Sequence, residues 1–158
     1  MLAADDFAIL KELKKDSTLS TREIAKNTKL SHATVNRRLH RLEDDGVIKK
    51  FTIEIDWEKI GRPMLAYVLI NIDYPDVKKK KLSQDTVAER LIKHPYVQDC
   101  VTVTGRKDLI IKVRVHDNKE LNRFINFLRG FEGVQMTETM PVLFEAPNHD
   151  NPFDQAYF

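Results

Sequence analysis

The chain carries one cysteine in 158 residues, Cys100. A single thiol excludes an internal disulfide and a cysteine-built zinc cage. Nothing beside it in sequence would lower its pKa, so it reads as a small core residue on a strand rather than a nucleophile. Glycine and proline are scarce, at five and six residues, which leaves little room for disordered linker. No stretch approaches the roughly 18 apolar residues of a transmembrane helix. The opening MLAADDFAIL has acids where a secretory leader would be apolar. The five histidines show no metal-ligand spacing, and there is no nucleophile–base pair or glycine-rich phosphate loop. These absences predict a cytoplasmic protein with no membrane segment, cofactor, metal or catalytic site. Net charge is only +2, weak for a chain whose partner is a polyanion.

What is present is a globular composition, 42% hydrophobic and 32% charged, with length for one ordinary domain or two small ones. The most informative stretch runs from Ser20 to Leu42. Ser20 and Glu23 form a capping box that opens one helix. Asn27-Thr28-Lys29 breaks it, and Ser31 is a good N-cap for the next. That second helix shows Val35, Leu39 and Leu42 at i, i+4 and i+7, an inward stripe. Gly46 marks its end, in the left-handed conformation that glycine tolerates. Two capped helices joined by a four-residue turn are the means by which a helix is held in the major groove of DNA. Between Arg22 and Arg41 stand six Lys or Arg against one acid, a local balance of +5. The competing reading is a plain helical hairpin with a solvated face.

On the first reading, Ser31 and the start of the second helix meet a phosphate, because unpaired N–H groups there favour an anion. Thr21 and Arg22, opening the first helix, do likewise. His32, Ala33, Thr34, Asn36 and Arg37 face base edges. Arg38 and Arg41 hold the DNA backbone, the alternative for Arg38 being a salt bridge to Glu43 or Asp44. A preceding helix over 5–14 buries Phe7, Ile9, Leu10 and Leu13, with Asp5 and Asp6 at its positive end. The resulting three-helix unit of 1–46 is small for a self-sufficient core. Because one copy with so little net charge binds DNA poorly, a dimer or larger assembly is expected.

After Gly46 the period changes to two, and 47–56 reads as a strand. A connection follows to residue 62. Then come a strand over 65–74, a helix over 87–93 starting near Ser83, and strands over 97–104 and 109–115. A helix over 118–129 and a strand over 134–144 complete the pattern. Strand-helix-strand-strand-helix-strand is the ferredoxin-like arrangement, with both helices on one face of an antiparallel sheet. If the other face is apolar, an identical sheet is its natural cover. The run Lys78 to Lys81 reads as a solvated loop, with a second phosphate contact as the alternative. The tail, 145–158, holds Phe153, Tyr157 and Phe158, either frayed or docked on a neighbouring subunit. The fold class is therefore α+β: a three-helix helix-turn-helix unit (1–46), a linker strand and connection (47–62), a ferredoxin-like βαββαβ domain (63–144) and the tail.

Several motifs, in order and at matching spacings, resemble the Lrp/AsnC family of transcription regulators. They are Asp6-Phe7-Ala8-Ile9-Leu10; Glu23-Ile24-Ala25; Leu30-Ser31-x-x-Thr34-Val35-x-x-Arg38-Leu39-x-x-Leu42-Glu43-x-x-Gly46-Val47-Ile48; Ile60-Gly61; and Thr104-Gly105-x-x-Asp108-Leu109. The resemblance covers nearly the whole chain. It implies an N-terminal unit that binds double-stranded operator DNA and a linker strand that pairs between subunits. It also implies a C-terminal effector domain, often called RAM, that forms dimers gathering into tetramers or octamers. A small molecule, usually an amino acid, is then bound between dimers near the Gly-x-x-Asp turn and alters DNA affinity or assembly state. By that resemblance Asp108 takes a ligand ammonium and the backbone near Gly105 a carboxylate, with Thr104, Arg106, Thr137 and Thr139 as further contacts. Arg106-Lys107 departs from the aromatic or apolar residue common there, and its charge favours an acidic ligand over a lysine-like one. The alternative for this turn is purely structural, with Asp108 capping it. Two other functions stay open: a sirohaem-decarboxylase-like enzyme using His94, His116, Arg106 and Arg114, and a sensing or assembly module that does not bind DNA.

Overall fold

A computed structural model describes residues 2–145. Two compact units are present, one ending at Ile55 and the other running from Asp56 to Glu145. The aromatics Phe153, Tyr157 and Phe158 lie outside the described residues.

The first unit holds α1 (Ala4–Lys15), α2 (Thr21–Thr28) and α3 (His32–Asp44). Each starts where a side chain satisfies an otherwise orphaned N–H. Asp6 accepts from the Ala3 N–H at 2.7 Å. The Ser20 N–H donates to Glu23 at 2.8 Å while the Glu23 N–H returns to the Ser20 hydroxyl at 3.3 Å. The Thr34 N–H donates to Ser31 at 3.1 Å. The turn between α2 and α3 is three residues, Lys29 to Ser31, one shorter than expected, and Lys29 takes the left-handed conformation at φ +58°. Gly46 ends α3 at φ +68°. That lets the Ile48 N–H reach back to the Leu42 carbonyl at 2.9 Å and puts Ile48 against the core. The core itself is Ile9, Leu13, Ile24, Ala25, Val35 and Leu42.

The strand expected over 47–56 is not formed. Its alternation is intact, but a strand needs a ladder partner and the described chain offers none. Phe51 and Ile53 stand 49% and 77% exposed.

The second unit is a four-stranded antiparallel sheet with helices on one face. Its elements are β1 (Met64–Ile72), α4 (Tyr74–Lys79), α5 (Gln84–Leu91), β2 (Val97–Thr102), β3 (Leu109–Val115), α6 (Asn118–Arg129) and β4 (Val134–Pro141), in sheet order β2-β3-β1-β4. Alternate residues of the central strands (Ala66, Val68, Ile70 and Ile72; Leu109, Ile111, Val113 and Val115) are buried under α5 and α6 with Val87, Leu91, Phe124 and Leu128. The ferredoxin-like order is as expected. Of the solvated loop expected at Lys78–Lys81, Lys78 and Lys79 end the short helix α4 and Lys80 and Lys81 form the turn after it, all four exposed. Asp73 caps α4 by accepting from the Asp76 N–H at 3.1 Å, and Pro75 sits in its first turn. Lys80 is held by Asp76 and Glu132 at 3.0 and 3.2 Å. Cys100 is half-buried on β2, as expected, and its thiol is pushed up to about 11 by burial and the neighbouring Asp99.

Gly133 precedes β4 at φ +85°, and a Cβ there would stand 2.9 Å from Val77 Cγ2 and 3.0 Å from Val87 Cγ2. Its carbonyl also takes the Asp73 N–H at 2.9 Å, so this backbone is closely approached by α4. Gly133→Ala is expected to cost about 1–3 kcal/mol in urea unfolding. Adding Val77→Ala should recover only part of this, because the positive φ remains.

Candidate nucleic-acid interface and effector turn

On a helix that advances about 100° per residue, Ala33, Asn36, Arg37 and His40 fall on one stripe. All four are exposed, opposite the buried Val35 and Leu42. Among the described residues Arg22, Asn36 and Arg37 have no intrachain side-chain partner. They present free donors at the surface. His40 completes the stripe but was not among the expected base-edge residues, although the 3.6-residue period extended one turn would have included it.

Other predicted residues are engaged. His32 Nε2 lies 2.8 Å from Thr21 Oγ1, so these two side chains link the N-terminus of α2 to that of α3. Ser31 and Thr34 share a hydroxyl contact at 2.8 Å. Arg41 pairs with Asp45 at 3.3 Å and His40 with Glu43 at 3.5 Å. Both contacts are exposed, and the Arg41–Asp45 ion pair is worth about 0–1 kcal/mol and readily exchanged for a phosphate.

Arg38 differs from the rest. The expected partner Glu43 or Asp44 is not the one it takes. Its Nη1 donates to Asp6 at 2.9 Å and its Nη2 to Asp5 at 2.8 Å, both across on α1. Asp6 is 5% exposed. Burial alone would raise its pKa, but the Ala3 N–H and the Arg38 guanidinium outweigh this and hold it below the ordinary value. Donating that same hydrogen bond to Asp6 raises the Arg38 pKa further.

In the second unit the turn Thr104–Asp108 joins β2 to β3, with Gly105 at φ +123° in open space. The Asp108 carboxylate accepts from the Ile72 N–H and from the Tyr74 hydroxyl, each at 2.8 Å. Its backbone N–H donates to Ile70 at 2.9 Å and its carbonyl receives the Gln84 amide. Asp108 thus caps the turn and ties it to β1, α4 and α5. Lys107 is pinned to Glu138 at 2.8 Å, and Asn71 donates to the Arg106 carbonyl at 2.8 Å. The Arg106 side chain stands exposed.

Asn71 and Glu138 belong to the uncovered face of the sheet. Thr137 and Thr139 lie on the other face, opposite Ile70 and Val68 in register. Thr137 is two strands from Leu109, about 10 Å. Thr104, Gly105, Arg106 and Asp108 thus share one turn, while Thr137 and Thr139 stand on β4, two strands from β3. A cleft of about 470 Å³ does exist between α5 and β2, but it is lined by others, including Asp85, Glu89, Ile92 and Cys100.

The residues considered for sirohaem chemistry are dispersed. Arg106 and Arg114 lie at opposite ends of β3. Arg114 is buried, with Trp57 stacked 5.6 Å away and Glu145 as its ion-pair partner. His116 sits beside Asp117 at 3.4 Å. His94 is packed among Phe124, Phe127 and Tyr96, with ring centroids 4.7 to 4.9 Å apart, and its Nδ1 accepts from the Tyr96 N–H at 3.2 Å.

Comparison with known proteins places both units. Residues 66–151 match the family model described as Lrp/AsnC ligand binding domain, and residues 6–49 match that described as winged helix-turn-helix DNA-binding. The chain is 39% identical over 138 residues to the HTH-type transcriptional regulator FL11 of Pyrococcus furiosus, 87% of each protein being covered. Bacillus subtilis LrpC superposes with a TM-score of 0.80 at 29% identity, over 94% of this chain and 99% of that one. The Neisseria meningitidis regulator NMB0573, solved as a complex with L-Met, superposes with a TM-score of 0.84 at 23% identity over 99% of each, a likeness of fold.

Burial lowers the His94 pKa from its ordinary 6.5. The unfolded chain therefore binds a proton that the folded chain declines, and stability falls as pH drops through the ordinary histidine range. The urea midpoint is expected to be lower at pH 5.5 than at 7.5. His94→Asn, which keeps an acceptor for the Tyr96 N–H, should shrink that difference.

Proposed function

The chain belongs to the Lrp/AsnC family of transcriptional regulators, and from that premise we propose that it reads operator DNA through the outward stripe of α3. Asn36 and Arg37 reach base edges, with Ala33 and His40 beside them on the stripe. Ser31, Thr34, Thr21, His32 and Arg22 hold phosphates around the starts of α2 and α3, and Arg41 leaves Asp45 for a third phosphate position. The observation that carries this reading is that Asn36 and Arg37 are exposed and unpartnered on a helix capped at both ends. Free guanidinium and amide groups match guanine and adenine edges bidentately, each pair giving about 1–3 kcal/mol of discrimination.

The active species is at least a dimer. Tyr67, Leu69, Ile110, Val101, Met136 and Met140 make the uncovered sheet face apolar, with Val101, Met136 and Met140 each more than 40% exposed. A second copy of the same face covers it with matched shape and twofold symmetry. The linker, with Phe51 and Ile53 exposed and no ladder, pairs with its counterpart in the dimer. Dimers then gather into tetramers or octamers.

The effector is an amino acid bound near the Thr104–Asp108 turn. Its carboxylate meets the backbone around Gly105 and the free Arg106 guanidinium. Its ammonium competes with the Tyr74 hydroxyl for Asp108. Thr137 and Thr139, on the helix-covered face of β4, serve a ligand held between dimers rather than one in the sheet-to-sheet seam. The charge of Arg106 favours an acidic side chain.

Duplexes selected from a random pool test the DNA reading. Arg37→Ala is expected to lower affinity for the selected operator about tenfold or more and to flatten base preference at one position. Lys29→Ala should weaken all duplexes alike and reduce the salt slope by about one. An unchanged operator affinity in Arg37→Ala would remove that residue from the reading surface.

Isothermal titration with the twenty amino acids, sedimentation being followed in the same samples, tests the effector. Acidic amino acids are expected to bind and to shift assembly or operator affinity. A silent panel rejects an amino-acid effector.

A further inference from the structure

We propose that Arg38 is a positioning residue for operator reading: its guanidinium fork fixes the rotation of α3 about its own axis and so aims Asn36 and Arg37. The proposal rests on the DNA reading above and goes beyond it, because it takes Arg38 out of the phosphate-contacting set and gives it another task.

The inward contact of α3 is narrow. Val35 and Leu42 are buried, while Leu39 is only half-buried. Apolar burial is non-directional, so such a stripe resists separation of the helices better than it resists rolling. Reading a base edge tolerates misdirection of only about 10–20°. A directional restraint is therefore needed on the flank of the helix, and Arg38 stands there, about 100° around the axis from Arg37.

The restraint has two tines and a fixed anchor. Nη1 bonds Asp6 and Nη2 bonds Asp5, at 2.9 and 2.8 Å. Asp6 is itself held by the Ala3 N–H at 2.7 Å, so the fork is tied to the cap of α1 rather than to a loose side chain. Charge-assisted bonds of this kind are short and angle-dependent. The Arg38 Nε is buried without a partner, so the group points wholly toward α1. With two carboxylates facing one guanidinium, the cluster as a whole has no net positive charge to offer a phosphate. A lysine would supply the charge but not the fork.

Arg38→Lys and Asp5→Asn, made in the full chain, test this. Affinity is measured for the selected operator and for a scrambled duplex across a salt series, with thermal unfolding alongside. Both variants are expected to lower the ratio of operator to scrambled affinity, Arg38→Lys by about tenfold, with the salt slope unchanged. Asp5 has no capping role, so Asp5→Asn keeps the fold while stripping the charge from one tine. A parallel loss on both duplexes, with the slope reduced by about one, would make Arg38 a phosphate contact and overturn the proposal. An unchanged ratio accompanied only by a lower unfolding temperature would make it structural and overturn it equally. If the unmodified chain selects no duplex, the DNA reading fails and takes this inference with it. If it selects one and Arg37→Ala loses it while Arg38→Lys keeps the ratio, the positioning role alone fails.

Discussion

Every second residue of β1 and β3 is apolar and buried, and among the described residues of this unit the helices cover only one side of the sheet those strands build. Much of the effector unit follows from that constraint. The period of two puts Ile70 and Leu109 under α5 and α6, and by the same pleat turns Leu69 and Ile110 to the uncovered side. The Asp108 turn is set where β3 enters the sheet, and its carboxylate takes the Ile72 N–H at the point where β1 leaves its regular register. Gly133 then has to be glycine, since α4 and α5 both press against the approach to β4. The apolar uncovered face is thus not an accident of composition. It is the remainder of a sheet whose residues alternate but whose helices do not.

Elements fixed by local chemistry were legible in the sequence. β3 and α6 occupy their expected residues, and Ser20, Ser31 and Gly46 cap as their types predict, because capping and periodicity are decided within four or five residues. α4 was missed because four consecutive lysines suggest solvation. The counter-signal, Asp73 as cap with Pro75 in the first turn, lay upstream, Asp73 inside the segment assigned to the preceding strand and Pro75 just past its end. The linker carried a correct strand pattern with no partner in its own chain. Periodicity reports what a segment is able to pair with, not whether the pair is present.

The site was legible as a surface but not as a set of roles. Asn36 and Arg37 were found because exposure on α3 follows from its inward stripe. The engagement of His32 with Thr21, eleven residues apart, and of Asp108 with Ile72 and Tyr74, more than thirty apart, depends on packing that no local rule reaches. Thr137 and Thr139 were carried over from a family pattern. Only the register of β4 reveals that they lie on the face opposite Asn71 and Glu138.

Arg37 and Arg38 make the limit concrete. They are adjacent, identical in chemistry and both within the stretch of local charge +5. Composition and charge density treat them alike. About 100° of rotation around the helix axis separates them: Arg37 points away from the core, and Arg38 meets Asp5 and Asp6 on α1. Those two acids, read from sequence as partners of a helix dipole, neutralise one of the six local cations. The field that DNA would meet is accordingly smaller than the sequence count suggests. A smaller field of that kind does less to attract any polyanion from a distance. It leaves a larger share of the binding to groups that must be aimed, and aiming is what a two-tined bond to a capped helix supplies.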